Sequence, residues 1–402
     1  MQVVVTGIGL RSSLGCLDSS WQNLLRGQCG IRNLQPFADL PSYPLALIGN
    51  IPVNLSELTQ ILVAEAVQDA QLQLPLKECG VVIGSSRAYQ GELEKLNGAL
   101  RFARQGCQRG WEKLGGTLGV ANDTLLNSLQ SQQKFLHALP AQLSAQVAGQ
   151  VGTLGPVLAP MAACATGLWV MAQAYELIRI GQCQQVIAGA VESPVTPLSL
   201  IGFQRMGALA QTGAYPFDRQ REGLVLGEGG AVFILESEET ARQRGINPHG
   251  KVLGFGLTAD ACSRNRPDPN SRSALSAINT CLKRSELSTA DIGYIHAHGT
   301  ATRLNDAHEA QLIQTIFPSG VPVSSTKGAT GHTLGASAAL GIAFGLMALK
   351  HQVLPPCVGL RDLEFDLDVS QSARETALKS LLCLSFGFGG QNGAIVLGKS
   401  AP

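Results

Sequence analysis

Gly155-Pro156-Val157-Leu158-Ala159-Pro160-Met161-Ala162-Ala163-Cys164 reads as a buried strand. It runs through Ala165-Thr166-Gly167 into Leu168-Trp169-Val170-Met171-Ala172-Gln173-Ala174-Tyr175-Glu176-Leu177-Ile178. The last segment reads as an amphipathic helix. Strand turning directly into helix is the unit of an α/β fold. The turn also holds a thiol. A cysteine at a helix N-terminus feels the positive end of the dipole, which favours its thiolate. Buried cysteines are more often inert small hydrophobes, so Cys164 needs partners before it counts as a nucleophile.

The same alternation runs outward in both directions. Strands are expected at Val3–Thr6, Gly80–Ile83, Val157–Met161, Gln185–Ala190 and Gly230–Glu236. Five more are expected at Lys251–Gly256, Ile292–His296, Val321–Ser324, Leu382–Ser385 and Gly393–Gly398. Helices are expected at Ser19–Arg26, Leu55–Ala70, Ala141–Gly149, Gly167–Ile180, Ser273–Arg284, Asp306–Phe317 and Gly331–His351. This argues for an α/β fold with largely parallel sheets. A polar run around Ala241–Gly250 divides the chain into halves, 1–245 and 246–402. Ala-Thr-Gly opens a long apolar helix in each half (Ala165-Thr166-Gly167 and Ala329-Thr330-Gly331), which points to duplication.

Composition narrows the function. The 402 residues are 45% hydrophobic, enough for a large core. The net charge of +1 gives no global basic field for nucleic acid or an anionic membrane. No signal peptide is read at Met1-Gln2-Val3-Val4-Val5, and the apolar run Gly335–Leu349 is too short to span a bilayer. Ten cysteines without a C-x-x-C pair argue against zinc ribbons and fit a reducing, cytoplasmic setting.

Three later motifs supply partners for the thiol. His298-Gly299-Thr300-Ala301-Thr302 follows a strand, where open α/β sheets build sites. Ser324-Ser325-Thr326-Lys327-Gly328-Ala329-Thr330-Gly331-His332 joins a strand to the Gly-rich helix. A helix N-terminus and Lys327 both disfavour protonation of His332, so a neutral imidazole able to donate is expected. Ser385-Phe386-Gly387-Phe388-Gly389-Gly390-Gln391-Asn392-Gly393 is a glycine-dense turn that can bring N–H groups and an aromatic wall to a ligand. No phosphate-binding fingerprint is present, so no nucleotide cofactor is indicated. A thiol, two histidines and such a turn suit acyl transfer to sulfur and stabilisation of a negative oxygen.

At these residues the chain resembles the elongating beta-ketoacyl-acyl-carrier-protein synthases, condensing enzymes of the thiolase fold. The resemblance runs nearly end to end. It includes Val4-Val5-Thr6-Gly7-Ile8-Gly9, Ala163-Cys164-Ala165-Thr166-Gly167, Pro216-Phe217-Asp218, Arg221–Gly229, His298–Thr302 with Asn305-Asp306, Lys327 with Thr330-Gly331-His332, and Gly387-Phe388-Gly389-Gly390. It implies two duplicated αβαβα halves in a five-layered core, a homodimer, and a long apolar acyl tunnel near the dimer contact. Cys164 would take an acyl chain from a carrier protein's phosphopantetheine. His298 and His332 would hold the malonyl thioester oxygen while carbon dioxide leaves. The N–H groups of Cys164 and Phe388 would form an oxyanion hole, with Phe388 gating the acyl channel. Thr300 and Thr302, with Phe386 and Gly389 of the turn, would contact substrate. Lys327 would support the histidines, and Glu309 and Asp306 would anchor a structural network. No metal and no permanently bound cofactor are expected.

Several positions depart from the family pattern. Tyr215 stands where the family has Arg, Ser263 ends Asp260-Ala261-Cys262-Ser263 where a histidine is expected, and Gly341 replaces a glutamate. The helix Leu55–Ala70 lacks the basic residues that meet an acidic carrier protein. Arg101, Arg104, Arg109, Lys134, Arg264 and Arg266 are substitutes, and Arg264 and Arg266 are expected to contribute to docking. Two alternatives accompany the enzyme reading. One is a non-catalytic, chain-length-factor-like subunit, in which the nucleophile is generally replaced. The other is a coenzyme A thiolase, which resembles a Cys-His-Cys set instead.

Overall fold

The computed structural model describes residues 1–97, 135–263 and 266–400. Arg101, Arg104, Arg109, Lys134 and Arg264 lie outside the described residues.

The first half contributes β1 (Val3–Ser12), β2 (Gly80–Gly84), β3 (Val157–Leu158), β4 (Gln185–Glu192) and β5 (Gly229–Ser237). Their spatial order is β3-β2-β4-β5-β1. The second half contributes β6 (Gly250–Ala259), β7 (Ile295–His296), β8 (Pro322–Ser324), β9 (Asp368–Val369), β10 (Ser380–Gly387) and β11 (Gln391–Gly398). Their order is β9-β8-β7-β10-β11-β6. Apart from the edge strand β9, both sets repeat one arrangement: third, second, fourth, fifth, first. Antiparallel pairing of Val3–Val5 with Gly250–Val252 joins β1 to β6 and makes one continuous sheet.

Six helices build the layers: α1 (Leu55–Asp69), α2 (Ala141–Val151), α3 (Thr166–Arg179), α4 (Arg272–Ser285), α5 (Arg303–Ile316) and α6 (Ser337–His351). Helices α3 and α6 touch strands of both sets and each other, so they form the middle layer. Helices α1 and α2 cover the first set, while α4 covers the second and carries α5. The result is the five-layered thiolase fold. Small residues let the central helices meet. A Cβ at Gly167 would come within 2.5 Å of the Ala339 nitrogen. Every residue of α6 from Ser337 to Leu349 is buried. Leu334–His351 has the length and apolarity of a membrane span, but 89% of that stretch lies inside the protein, as a core helix does.

Several expectations are corrected. The opening stretch is not a buried strand. Only Val157–Leu158 pairs, at the sheet edge, and Val157 and Met161 are 41% and 60% exposed. Pro156 and Pro160 bracket it and have no N–H to donate, which confines it to an edge. The sheets are mixed. β2, β3 and β4 are parallel, and so are β7, β8 and β10, whereas β5, β1, β11 and β6 pair antiparallel. The tight Phe388-Gly389-Gly390 turn forces the hairpin between β10 and β11. Strand β7 is only two residues, and α5 begins at Arg303, where Thr302 accepts from Asn305 N. The last long helix starts at Ser337. Gly331, at φ +65°, breaks the chain away from the short turn Lys327–Thr330. The helix Pro197–Arg205 was not foreseen; Thr196 caps it and Pro197 starts it.

Candidate active site

Each functional side chain is placed by a local device. Thr166 Oγ1 donates to Ala163 O (2.7 Å) and accepts from Ala162 N (2.9 Å), which holds the turn carrying Cys164. Ala163 adopts φ +47°, so the thiol sits just ahead of α3 on a sharply bent backbone. His298 follows β7. Its N–H and that of Gly299 donate to the Glu309 carboxylate at 2.6 and 2.7 Å. Lys327 Nζ donates to the His298 carbonyl. His332 donates its backbone N–H to Val225 O at 2.7 Å. A Cβ at Gly387 would lie 2.8 Å from Ala162 O and 3.1 Å from Cys164 N, so glycine lets the hairpin turn close on the thiol.

These devices bring Cys164, His298 and His332 together. The sulfur and one ring nitrogen of each histidine lie within 4.8 Å of one another. The two rings stand edge to face, 5.4 Å apart at 84°. Among the described residues, no other group of histidine, cysteine and carboxylate side chains is compact enough to hold an ion. A soft ion such as zinc would fit this donor set.

Ser385, on β10, sets the orientation of one ring. Its Oγ donates to Cys164 O at 2.9 Å, since a carbonyl only accepts. The same oxygen is 3.3 Å from His298 Nδ1, which must then be the donor. That tautomer leaves the lone pair on His298 Nε2. His332 differs: its Nδ1 is buried without a partner.

Burial dominates the electrostatics. It pushes both His298 and His332 well below the usual histidine value, helped by the Lys327 cation. Both are neutral, as expected for His332, although the long helix begins only at Ser337, five residues beyond it. The expectation for the thiol is overturned. Burial raises Cys164 to about 11, against the pull of Lys327, Arg87 and the Phe388 N–H. Desolvation outweighs these attractions, so the resting thiol keeps its proton. Burial lowers Lys327 to about 8, opposed by Glu309, Cys164 and Asp306. Burial also raises Glu309 to about 7 and Asp306 to about 6.

A cavity of about 410 Å³ opens onto the trio. Thr300, Thr302, Phe386 and Phe388 line it together with Cys164, His298 and His332. Gly389 does not; it sits at the turn's apex with open space beside it, and Gly390 lines the cavity instead. Asp306 and Glu309 lie behind the wall. Asp306 accepts from Phe217 N at 2.8 Å.

The sequence reading missed His308, Asn392 and Ser385 as site residues. His308 lines the cavity, with its Nε2 2.8 Å from Ser271 Oγ and 3.2 Å from Asp268 O. Asn392 donates to Asp260 at 2.7 Å and ties the turn to that segment. Asn392 and Ser385 flank the Gly-rich turn, which is the signal that could have found them. Tyr215, in place of the family's Arg, donates its hydroxyl to Thr212 Oγ1 at 3.2 Å.

The fold and site define a condensing-enzyme architecture, and comparisons with known proteins agree. Residues 55–241 match the Beta-ketoacyl synthase, N-terminal domain, and residues 249–361 the Beta-ketoacyl synthase, C-terminal domain. The chain therefore belongs to the beta-ketoacyl synthase family. It is 31% identical to 3-oxoacyl-[acyl-carrier-protein] synthase 2 of Vibrio harveyi, over 100% of this chain and 99% of that one. It is also 31% identical to the ketoacyl synthase alpha subunit of the tetracenomycin polyketide synthase of Streptomyces glaucescens, over 99% and 97%. A type II polyketide ketosynthase, solved in complex with its acyl-carrier protein, superposes with a TM-score of 0.87 at 26% identity, covering 99% of both chains.

Proposed function

We propose that this enzyme joins an acyl thioester to malonyl-acyl carrier protein by decarboxylative Claisen condensation, giving a 3-oxoacyl-acyl carrier protein. The product would enter fatty-acid or related specialised lipid or polyketide synthesis. One observation carries the reading: a thiol and two neutral imidazoles share a space of 4.8 Å at the base of one cavity. A non-catalytic subunit has no need of that convergence.

In the first half-reaction the Cys164 sulfur attacks the acyl thioester carbonyl. The carrier's carbon–sulfur bond breaks, and the thiol proton passes to the departing carrier thiolate. The thiol is protonated at rest, so a base must assist, and the free Nε2 lone pair of His298 is placed to do so. In the second, malonyl loses carbon dioxide and its electron pair forms an enolate. We assign His332 as the donor to that oxygen, supported by the Lys327 field. The expected shared role of the two histidines thus divides, because the Ser385 contact points the His298 proton away from the site. The enolate carbon then attacks the acyl-Cys164 carbonyl. The N–H groups of Cys164 and Phe388 receive the oxyanion, and collapse frees the Cys164 thiolate, which takes up a proton. Thr300 and Thr302 would contact the pantetheine, with Phe386 as the aromatic wall, and Asp306 and Glu309 hold the loop.

A homodimer completes the proposal. The edge strand β3 leaves Leu154 87% exposed beside exposed Val157 and Met161, an apolar strip suited to a second copy. We divide the chain at residues 245 and 246, on the repeated strand order of the two sets. The test is mass analysis of the Cys164 peptide after incubation with acyl carrier proteins. Acyl-Cys164 is expected, and is lost in Cys164→Ala. Absence of any acyl adduct would overturn the proposal.

A further inference from the structure

The cavity wall carries a hydrogen-bond acceptor that the chemistry above does not use. His308, on α5, lines the cavity together with Thr300, Thr302 and Asn305. The Phe386 ring stands edge to face against both His298, at 5.9 Å between ring centres, and His308, at 6.5 Å. His308 is therefore one aromatic ring removed from the reacting groups.

The surroundings fix the ring's proton. His308 Nε2 lies 3.2 Å from the Asp268 carbonyl oxygen, which only accepts, so Nε2 carries the hydrogen. Ser271 Oγ, 2.8 Å away, accepts from the same N–H. Asp268 is itself held: its N–H donates to Asp260 Oδ2 at 3.0 Å, and its carboxylate accepts from Asn270 N and Arg272 Nε, both at 3.1 Å. Neither Asp268 nor Ser271 lines the cavity. Burial lowers His308 below the usual histidine value, so the neutral ring prevails at pH 7. A neutral ring with its proton on Nε2 keeps a lone pair on Nδ1. Nδ1 makes no hydrogen bond among the described residues and is not buried. One nitrogen is thus anchored behind the wall, and the other is an open acceptor.

A pantetheine arm holds two amides in line with its sulfur. The outer amide N–H, beyond the β-alanine unit, lies about 9 Å from the sulfur when the arm is extended. The threonine hydroxyls can donate to the arm's carbonyls, whereas a lone pair on Nδ1 can only accept and so calls for an N–H. Its place one ring out from His298 suits the outer amide. Resting on the acyl-Cys164 reading above, we propose that His308 Nδ1 accepts from the outer amide N–H of the pantetheine arm. That bond would set the depth at which the thioester meets the thiol. His308 is then a substrate-positioning residue that the Cys-His-His set does not include.

The test uses matched thioesters. Hexanoyl thioesters of N-acetylcysteamine and of N-acetyl-β-alanylcysteamine differ by one β-alanine unit, which adds the outer amide and no hydroxyl. Loading is read as acyl-Cys164 mass over time. His308→Ala should raise the KM for the longer thioester about five- to tenfold, with the maximal rate held, and leave the shorter one unchanged. His308→Asn puts an amide oxygen where Nδ1 stood and should restore most of the difference. Alkylation of Cys164 by iodoacetamide shows that each variant retains its site. Equal effects of His308→Ala on the two thioesters, including no effect on either, would overturn the proposal. So would a His308→Asn protein as impaired as His308→Ala. No adduct in the wild type, from either thioester or from acyl carrier protein, would overturn the acylation reading itself.

Discussion

The ring of His296 fills the space that a side chain at Gly341 would need. A Cβ at Gly341 would lie 2.7 Å from His296 Nδ1 and Cε1. His296 is buried, its Nε2 lies 3.3 Å from Thr326 Oγ1, and burial lowers it to about 3. A neutral histidine against glycine thus stands where the family resemblance calls for a glutamate. The acids that act on Lys327 are Glu309 and Asp306 instead.

This contact predicts an energetic coupling. Gly341→Ala should destabilise the protein by about 1–3 kcal/mol through overpacking. His296→Ala removes the obstacle, so the double variant should be more stable than the sum of the single changes predicts. Denaturant or thermal midpoints of the four proteins measure the coupling. Strict additivity would refute the contact.

The thiol's chemistry gives a pH prediction. With Cys164 at about 11, its thiolate fraction should rise tenfold per pH unit through the neutral range. Iodoacetamide alkylation should follow. Lys327 favours the thiolate, so Lys327→Met should react several-fold more slowly at pH 7. The gap should narrow above pH 8, because the wild-type lysine itself loses its proton at about 8. A plateau in alkylation near pH 7 would contradict the raised thiol.

The alternation of strands and helices was legible because apolar periodicity records which face is buried. Thus β4, β5 and β11 lie close to where periodicity placed them. Val157–Met161 misled because its apolar residues face outward at an edge, and composition does not distinguish a core from a surface strip. The Cys164, His298 and His332 motifs were legible because glycines and strand ends punctuate them. The thiol's acidity was not: its surroundings include β10 and the hairpin turn, both remote in sequence. His308 carried no motif, and only packing brings it to the cavity.

Ser385 should act as a positioning residue. Ser385→Ala removes the acceptor for His298 Nδ1–H and the donor to Cys164 O. Loss of ring orientation should lower kcat by about 10–100-fold with little change in KM. The pH profile should shift as well, because the His298 tautomer is released. Ser385→Thr keeps the hydroxyl and should retain most activity. Equal losses in the two variants would show that packing, not the hydroxyl, matters.

The cavity mouth should meet the carrier protein through charge and apolar contact together. Arg266 and Arg303 line it and are exposed, beside Met206 and Leu304 at 48% and 52% exposure. This retains half of the expected Arg264 and Arg266 pair and adds Arg303. Exposed cations accelerate encounter with an acidic partner and are screened by salt. Charge reversal at both, Arg266→Glu with Arg303→Glu, should slow transfer from acyl carrier protein about tenfold at low salt. The difference should shrink at about 0.5 M salt, where the screening length falls to a few ångströms. Transfer from a free pantetheine thioester, which carries no acidic surface, should change little. Unchanged carrier-dependent rates at low salt would place the docking surface elsewhere.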